Sequence, residues 1–198
     1  MNGGAAMRWA QVVRETAETR VRVSLNLDGA GTFRGATGIG FFDHMLALLA
    51  RHAGFDLEVE AQGDLAVDGH HTVEDTGIAL GRALVQARGE GKGIARFGHA
   101  LLPMDEALAL VAVDVSGRGF LAYDVPCPVE RIGGFACELG EEFLRAAAVN
   151  GGITLHVRLL AGNNGHHILE AVFKGLGVAL KGALHVSGTA VPSTKGVL

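Results

Sequence analysis

The chain has 198 residues, 48% of them hydrophobic, and a formal net charge of −4. That length supports a sizeable core, in one large domain or two small halves, and the apolar share excludes a disordered chain. Lys and Arg are dispersed, no apolar run reaches membrane-spanning length, and the stretch from Met1 to Ala10 lacks a signal-peptide layout, so a nucleic-acid partner, a bilayer and secretion are set aside and a cytoplasmic location is expected.

In chain order, residues 1–6, rich in Gly and Ala, read as a loose leader. Val21, Val23, Leu25 and Leu27 alternate with polar residues, which predicts a half-buried strand. Leu46, Leu49, Ala50 and Ala53 then fall at helical spacing, with Asp43 as the expected cap. Phe55 to Glu60 alternates again, and a long helix is expected from His70. Gly89 to Gly93, glycine-rich and charged, reads as a linker dividing a first half, 7–90, from a second, 91–198. Pro126 to Gly134 reads as a loop. Cys127 and Cys137 fit neither a disulfide framework nor a zinc ribbon and are expected to be packing residues. A last helix carries the apolar stripe Leu169, Phe173, Leu176, Gly177, Leu180 and Leu184, with His166 and Glu170 on an adjacent face.

The chain is also written twice. His70-His71-Thr72-Val73-Glu74 recurs 96 positions later as His166-His167-Ile168-Leu169-Glu170, and Leu80, Gly81, Ala83 and Leu84 recur as Leu176, Gly177, Ala179 and Leu180. Upstream the spacing is 98, pairing Leu46 with Leu144 and Gly54 with Gly152; earlier still it is 88, pairing Glu18, Val23 and Leu25 with Glu106, Val111 and Val113. The expected fold is therefore α+β, with internally duplicated halves, each a sheet covered by helices on one side.

On a helix, His70 and Glu74 are i and i+4, and His71 and Glu74 are i and i+3, so both histidines can share a metal neighbourhood with the carboxylate. Adjacent histidines leave the axis about 100° apart and suit two ions better than one. Core packing has no need of the same polar triplet twice, so a paired-metal site is expected; imidazole and carboxylate without thiolate favour an octahedral ion such as manganese. The repeat adds His44 and Glu142, 98 positions apart and both near the start of a helix. Asp75 is expected to orient a ligand imidazole. Arg96, Arg118 and Lys195, with Ser193, form a candidate phosphate pincer.

These residues resemble the imidazoleglycerol-phosphate dehydratase family. The resemblance runs from Met7 to Leu198 and rests on Phe42-Asp43-His44-Met45-Leu46, Asp68 to Thr76, Arg96-Phe97-Gly98, Pro103 to Ala107, Asp114 to Arg118, Gly165-His166-His167 and Pro192 to Leu198. It implies a lyase of histidine biosynthesis that removes water from D-erythro-imidazole glycerol phosphate to give imidazole acetol phosphate. It also implies halves related to the second domain of ribosomal protein S5, two Mn2+ per active site, and a homo-oligomeric shell of twenty-four subunits with sites between neighbours. Carried over, the metal ligands fall on His44, His70, His71, Glu74, His166, His167 and Glu170; an eighth, often His in the family, falls on Glu142. Substrate contacts fall on Glu18, Arg96, Arg118, Ser193 and Lys195. The proton to be removed sits on a carbon with no adjacent carbonyl, so the imidazole ring must act as electron sink, and two ions on its nitrogens would stabilise an imidazolate. Glu18 is the expected acid/base, with Glu170 or a metal-bound water as the alternative base. A dinuclear phosphate-ester hydrolase and a non-catalytic S5-like binding module are the competing readings; the second would need a basic face that the sequence lacks.

Overall fold

The computed structural model describes residues 7–198, so the expected leader, residues 1–6, lies outside the described residues. The elements are β1 (Trp9–Glu15), β2 (Thr19–Asn26), β3 (Phe33–Ala36), α1 (Gly40–Ala53), β4 (Asp56–Gly63) and α2 (His70–Arg88), then β5 (Phe97–Met104), β6 (Ala107–Asp114), β7 (Phe120–Asp124), β8 (Arg131–Ile132), β9 (Phe135–Ala136), α3 (Glu138–Gly151), β10 (Thr154–Ala161) and α4 (Gly165–Leu184). Two four-stranded sheets result, ordered β1-β2-β4-β3 and β5-β6-β10-β7. In each, the first three strands are antiparallel and the last pair is parallel. The second sheet repeats the first strand for strand.

Alternation explains the sheets. Val21, Val23 and Leu25 of β2 are fully buried, and their cross-strand neighbours Val59 and Leu57 of β4 point to the same face; β6 repeats this with Ala109, Val111 and Val113 beside Val157 and Leu155. A two-residue period puts every second side chain on one face, and helices cover that face. The opposite faces carry exposed apolar side chains, among them Val13 of β1 and Leu101 of β5.

The helices pair across the halves, with α1 against α4 and α2 against α3. Gly81 of α2 and Gly177 of α4, equivalent in the repeat, allow this: a Cβ on Gly81 would meet the Ala147 carbonyl oxygen at 2.6 Å, and one on Gly177 the Leu49 carbonyl oxygen at 2.8 Å. An aromatic ladder crosses the same boundary. Phe42 of α1 meets Phe143 of α3 at 5.2 Å edge-on, and Phe143 stacks on Phe173 of α4 at 5.4 Å. All three are completely buried, so truncating any of them would cost about 3–5 kcal/mol.

Two expectations are corrected. Asp43 does not cap α1. It lies inside the first turn, and its carboxylate accepts bonds from the Thr37 amide and hydroxyl at 2.8 and 2.7 Å, holding the preceding loop to the helix. The stretch from Pro126 to Gly134 is not wholly loop: Arg131–Ile132 pairs with Phe135–Ala136 as a small hairpin, too short for a period to show.

Candidate active site

The best-formed cluster begins with a helix cap. Asn164 accepts bonds from the amides of His166 and His167 at 2.9 and 3.4 Å, satisfying two of the orphan donors at the start of α4. That start sets His166 and Glu170 on one face, one turn apart. The α1–α4 contact then brings in His44 from the first half. His44 Nε2 lies 2.9 Å from Glu170 Oε1, and His166 Nε2 lies 3.9 Å from the same oxygen. Among the described residues this is the one group of three or more His, Cys, Asp and Glu whose donor atoms all fall within 4.8 Å of one another. The Glu170 side chain is 7% exposed, and Lys174 Nζ donates to its other oxygen at 3.1 Å. Burial pushes the Glu170 pKa up, but the bonds from His44 and Lys174 outweigh it, and the net shift is downward. The carboxylate therefore stays ionised inside the fold.

The repeat positions of this triplet are Glu142, His70 and Glu74. Glu74 and Glu142 line one small cavity of about 210 Å³ between α2 and α3, together with Ile78 and Arg145. Ile78 stands where the other half has Lys174, and Arg145 is paired with Glu141.

The second histidine of each motif faces elsewhere. His71 Nδ1 lies 3.0 Å from Asp64 Oδ2 and 3.7 Å from Glu18 Oε2, and its pKa is raised, chiefly by the Asp64 bond. His167 Nδ1 lies 2.7 Å from Glu106 Oε2, which raises its pKa in the same way. The bond with His167, joined by the Asn164 amide, pulls Glu106 down to about 2. Each motif thus ties its second histidine to a carboxylate, His71 to Asp64 just after β4 and His167 to Glu106 just ahead of β6.

The anion-binding candidates gather around Asp114. Arg96 donates to it at 2.7 and 3.2 Å and to the Pro192 carbonyl at 3.0 Å, while Arg118 stands 3.6 Å from the same carboxylate. Arg96 holds a left-handed backbone, φ 71°, to reach this position. Ser193 Oγ accepts from the Lys195 amide at 3.2 Å, folding the tail beside them. This group sits at the open end of the β5–β6 hairpin, whereas Glu106 and its partner His167 sit at the turn end. Eight residues of strand separate the ends, roughly 25 Å. One chain does not bring the phosphate pincer to the histidines.

Asp75 does not touch an imidazole. It is buried and accepts bonds from Arg14 Nε at 2.6 Å and from Thr19 Oγ1, tying α2 to β1 and β2. Sequence reading passed over Lys174, Asp64, Glu106 and Asp114. Lys174 carried a signal, being i+4 from Glu170, and so did Glu106, as the repeat partner of Glu18, and Asp114, as the first residue of the Asp114 to Arg118 motif; Asp64 carried none that sets it apart from a surface acid.

An α+β fold of duplicated halves thus places between cross-paired helices a histidine–carboxylate cluster with the donors of a metal-binding enzyme. The model of the imidazoleglycerol-phosphate dehydratase family matches residues 37–180. An imidazoleglycerol-phosphate dehydratase of Desulforudis audaxviator is 62% identical over 193 residues, covering 97% of this chain and 98% of its own. Crystal structures of the dehydratases of Staphylococcus aureus and Pyrococcus furiosus superpose with TM-scores of 0.82 and 0.81 at 39% and 41% identity. They cover 90% and 94% of this chain and 99% and 100% of their own. The chain belongs to the imidazoleglycerol-phosphate dehydratase family and is a hydro-lyase of histidine biosynthesis. The competing hydrolase and binding-module readings fall with that membership. Among the described residues no helix is long and apolar enough to cross a membrane.

Proposed function

We propose that the chain dehydrates D-erythro-imidazole glycerol phosphate to imidazole acetol phosphate at a paired-manganese site completed between copies of the chain, in the cytoplasm. The observation that carries this reading is the triplet His44, His166 and Glu170, drawn from both halves onto one point. Two imidazoles and an ionised carboxylate, without thiolate, fit manganese better than a closed zinc site. His70, Glu74 and Glu142 are the corresponding holders of the second ion, and His71 and His167, turned out of their own chain's triplets, are donors for a neighbour's. When bound, the two ions would supply Lewis-acid stabilisation to the substrate's ring as it takes up negative charge.

The residues divide the remaining work. Glu170 is committed to His44 and Lys174, which makes it a better ligand than base. Glu18, 55% exposed beside His71, is free to carry the proton between the substrate carbon and the departing hydroxyl, as well as to bind substrate. Arg96, Arg118, Ser193 and Lys195 hold the phosphate through charge-assisted bonds. Their distance from the histidines supports sites shared between subunits, and the exposed apolar side chains on the outer sheet faces suit a homo-oligomer, twenty-four subunits in the family's pattern.

Purified protein incubated with imidazole glycerol phosphate, with and without a chelator, tests the reading. We expect an enolisable ketone, no free phosphate, and loss of turnover on chelation that added Mn2+ restores. Full activity in the stripped protein would remove the metal from the proposal, and released phosphate would replace dehydration with hydrolysis.

A further inference from the structure

The segment between β7 and α3 takes no part in the proposed chemistry, yet it closes on itself at two sulfurs. Cys127 follows β7 and Cys137 stands at the N-terminal boundary of α3; the β8–β9 hairpin between them turns back so that Cys127 Sγ and Cys137 Sγ lie 2.8 Å apart. Three contacts fix that approach. The Cys137 amide donates to the Glu130 carbonyl at 2.9 Å. Phe135 of the hairpin is completely buried, its ring 5.4 Å from Phe41 and 6.0 Å from Phe42 of α1. On the far side, a Cβ on Gly165 would stand 3.1 Å from Cys127 Sγ, so this sulfur rests against the first residue of α4, next to His166.

Sulfurs this close, on backbone held this firmly, are nearer a bond than a packing contact. A disulfide needs about 2.05 Å, so closure requires less than about 1 Å of movement. We propose that Cys127 and Cys137 are a modification site, a dithiol that small-molecule disulfides such as glutathione disulfide convert to a reversible intramolecular disulfide, stapling the hairpin to the starts of α3 and α4. Those helices carry Glu142 and His166, so the staple braces a wall of both triplets.

The order of events follows from access. Both sulfurs border a cavity of about 590 Å³ lined also by Tyr123, Arg131 and Glu141, but Cys127 is only half-buried whereas Cys137 is buried. Burial, together with the bond to Cys127, raises the Cys137 thiol to about 12, so Cys137 does not react first. The Cys127 thiolate attacks one sulfur of glutathione disulfide, forming a mixed disulfide and releasing one glutathione thiolate. Cys137 then loses its proton to solvent and attacks Cys127 Sγ; the sulfur–sulfur bond to glutathione breaks, and the second glutathione leaves as thiolate. Two electrons pass from the protein pair to the oxidant, and reduced glutathione runs the sequence backwards.

The test uses the intact metal-loaded protein, reduced, desalted and then incubated with glutathione disulfide. Thiols are counted after denaturation, intact mass is measured, and Tm is recorded before and after. We expect two thiols before oxidation and none after, a mass loss of two hydrogens, a single chain on a non-reducing gel, and a Tm higher by a few degrees. Cys137→Ser should instead keep a glutathione adduct on Cys127, and Cys127→Ser should stay largely unmodified. A lasting adduct on the wild-type chain, chain-to-chain crosslinks, or two surviving thiols would overturn the proposal. The wild-type mass decides the matter even where a serine variant folds poorly.

Discussion

The triplet His44–His166–Glu170 and its counterpart Glu142–His70–Glu74 occupy equivalent repeat positions, yet only the first is drawn within 4.8 Å. The difference lies in charge. In the first, the His44 imidazole and the Lys174 ammonium flank one buried carboxylate, so hydrogen bonding and attraction hold the group together. In the second, two carboxylates line one cavity, Ile78 replaces the lysine, and Arg145 is engaged by Glu141. Like charges without a cation between them repel. One triplet is drawn together by its own side chains and the other is not, although both stand on the same scaffold.

The sharpest way to break this contrast is Glu170→Ala. It removes the shared acceptor of the first triplet and leaves Lys174, 17% exposed, without its partner. We expect activity to fall by more than about 100-fold and unfolding free energy by roughly 3 kcal/mol, read by steady-state assay and denaturant melts. Glu74→Ala should cost comparable activity with little stability; equal destabilisation by both would erase the distinction.

Next come Arg118→Ala and Lys195→Ala, which touch neither triplet. Losing a charge-assisted phosphate contact costs roughly 1.5–3 kcal/mol, or about one to two decades in kcat/KM, with metal content unchanged. Because one chain holds the pincer roughly 25 Å from its own His167, subunits carrying Arg118→Ala mixed and reassembled with subunits carrying Glu170→Ala should regain activity that neither has alone. Mixtures as inactive as their components would place the site within one chain.

Glu142→Gln sharpens the comparison at the open triplet. It should weaken one ion of the pair about tenfold, while Glu142→His, which copies the chemistry of His44, should restore much of the affinity. Calorimetric titration with Mn2+ reads both, and identical isotherms for Gln and wild type would make Glu142 a surface glutamate.

The smallest effect is expected at the tethered histidines. Glu106→Gln should let the raised His167 pKa fall back toward its ordinary value in the metal-free protein, visible by NMR titration. The stability this contact gives is complete between about pH 4.3 and 6.5; it is lost as pH rises through the raised His167 value and as pH falls toward the Glu106 value of about 2. A His167 pKa unmoved by the substitution would assign the shift to other neighbours.

Much of this was legible in the sequence because duplication turns spacing into geometry. The 98-residue offset that pairs His44 with Glu142 is the offset between α1 and α3, and the 96-residue offset joins α2 to α4 without a gap. Hydrophobic stripes identified which helix faces are buried, but a stripe does not say which helix it meets, so the cross-pairing that builds the first triplet was out of reach. Asp43 and Asp75 were misread for a related reason: a carboxylate beside a helix start or a histidine has several polar partners within reach, and only tertiary packing chooses Thr37 for one and Arg14 for the other. The β8–β9 hairpin, two residues a side, is shorter than any period that could announce it.

The exchange of helices between the halves has an evolutionary reading. With α1 on α4 and α2 on α3, the chain is a dimer whose two members happen to share a peptide backbone. A free-standing half would expose the apolar faces of both its helices and would recover a triplet only by pairing with another copy. In a pair of identical first halves, both triplets would read His44–His70–Glu74, and any change to one would be a change to the other. A single chain that encodes both members separately is free of that constraint: one triplet has Lys174 where its twin has Ile78, and His44 where its twin has Glu142, so the two halves differ at equivalent positions.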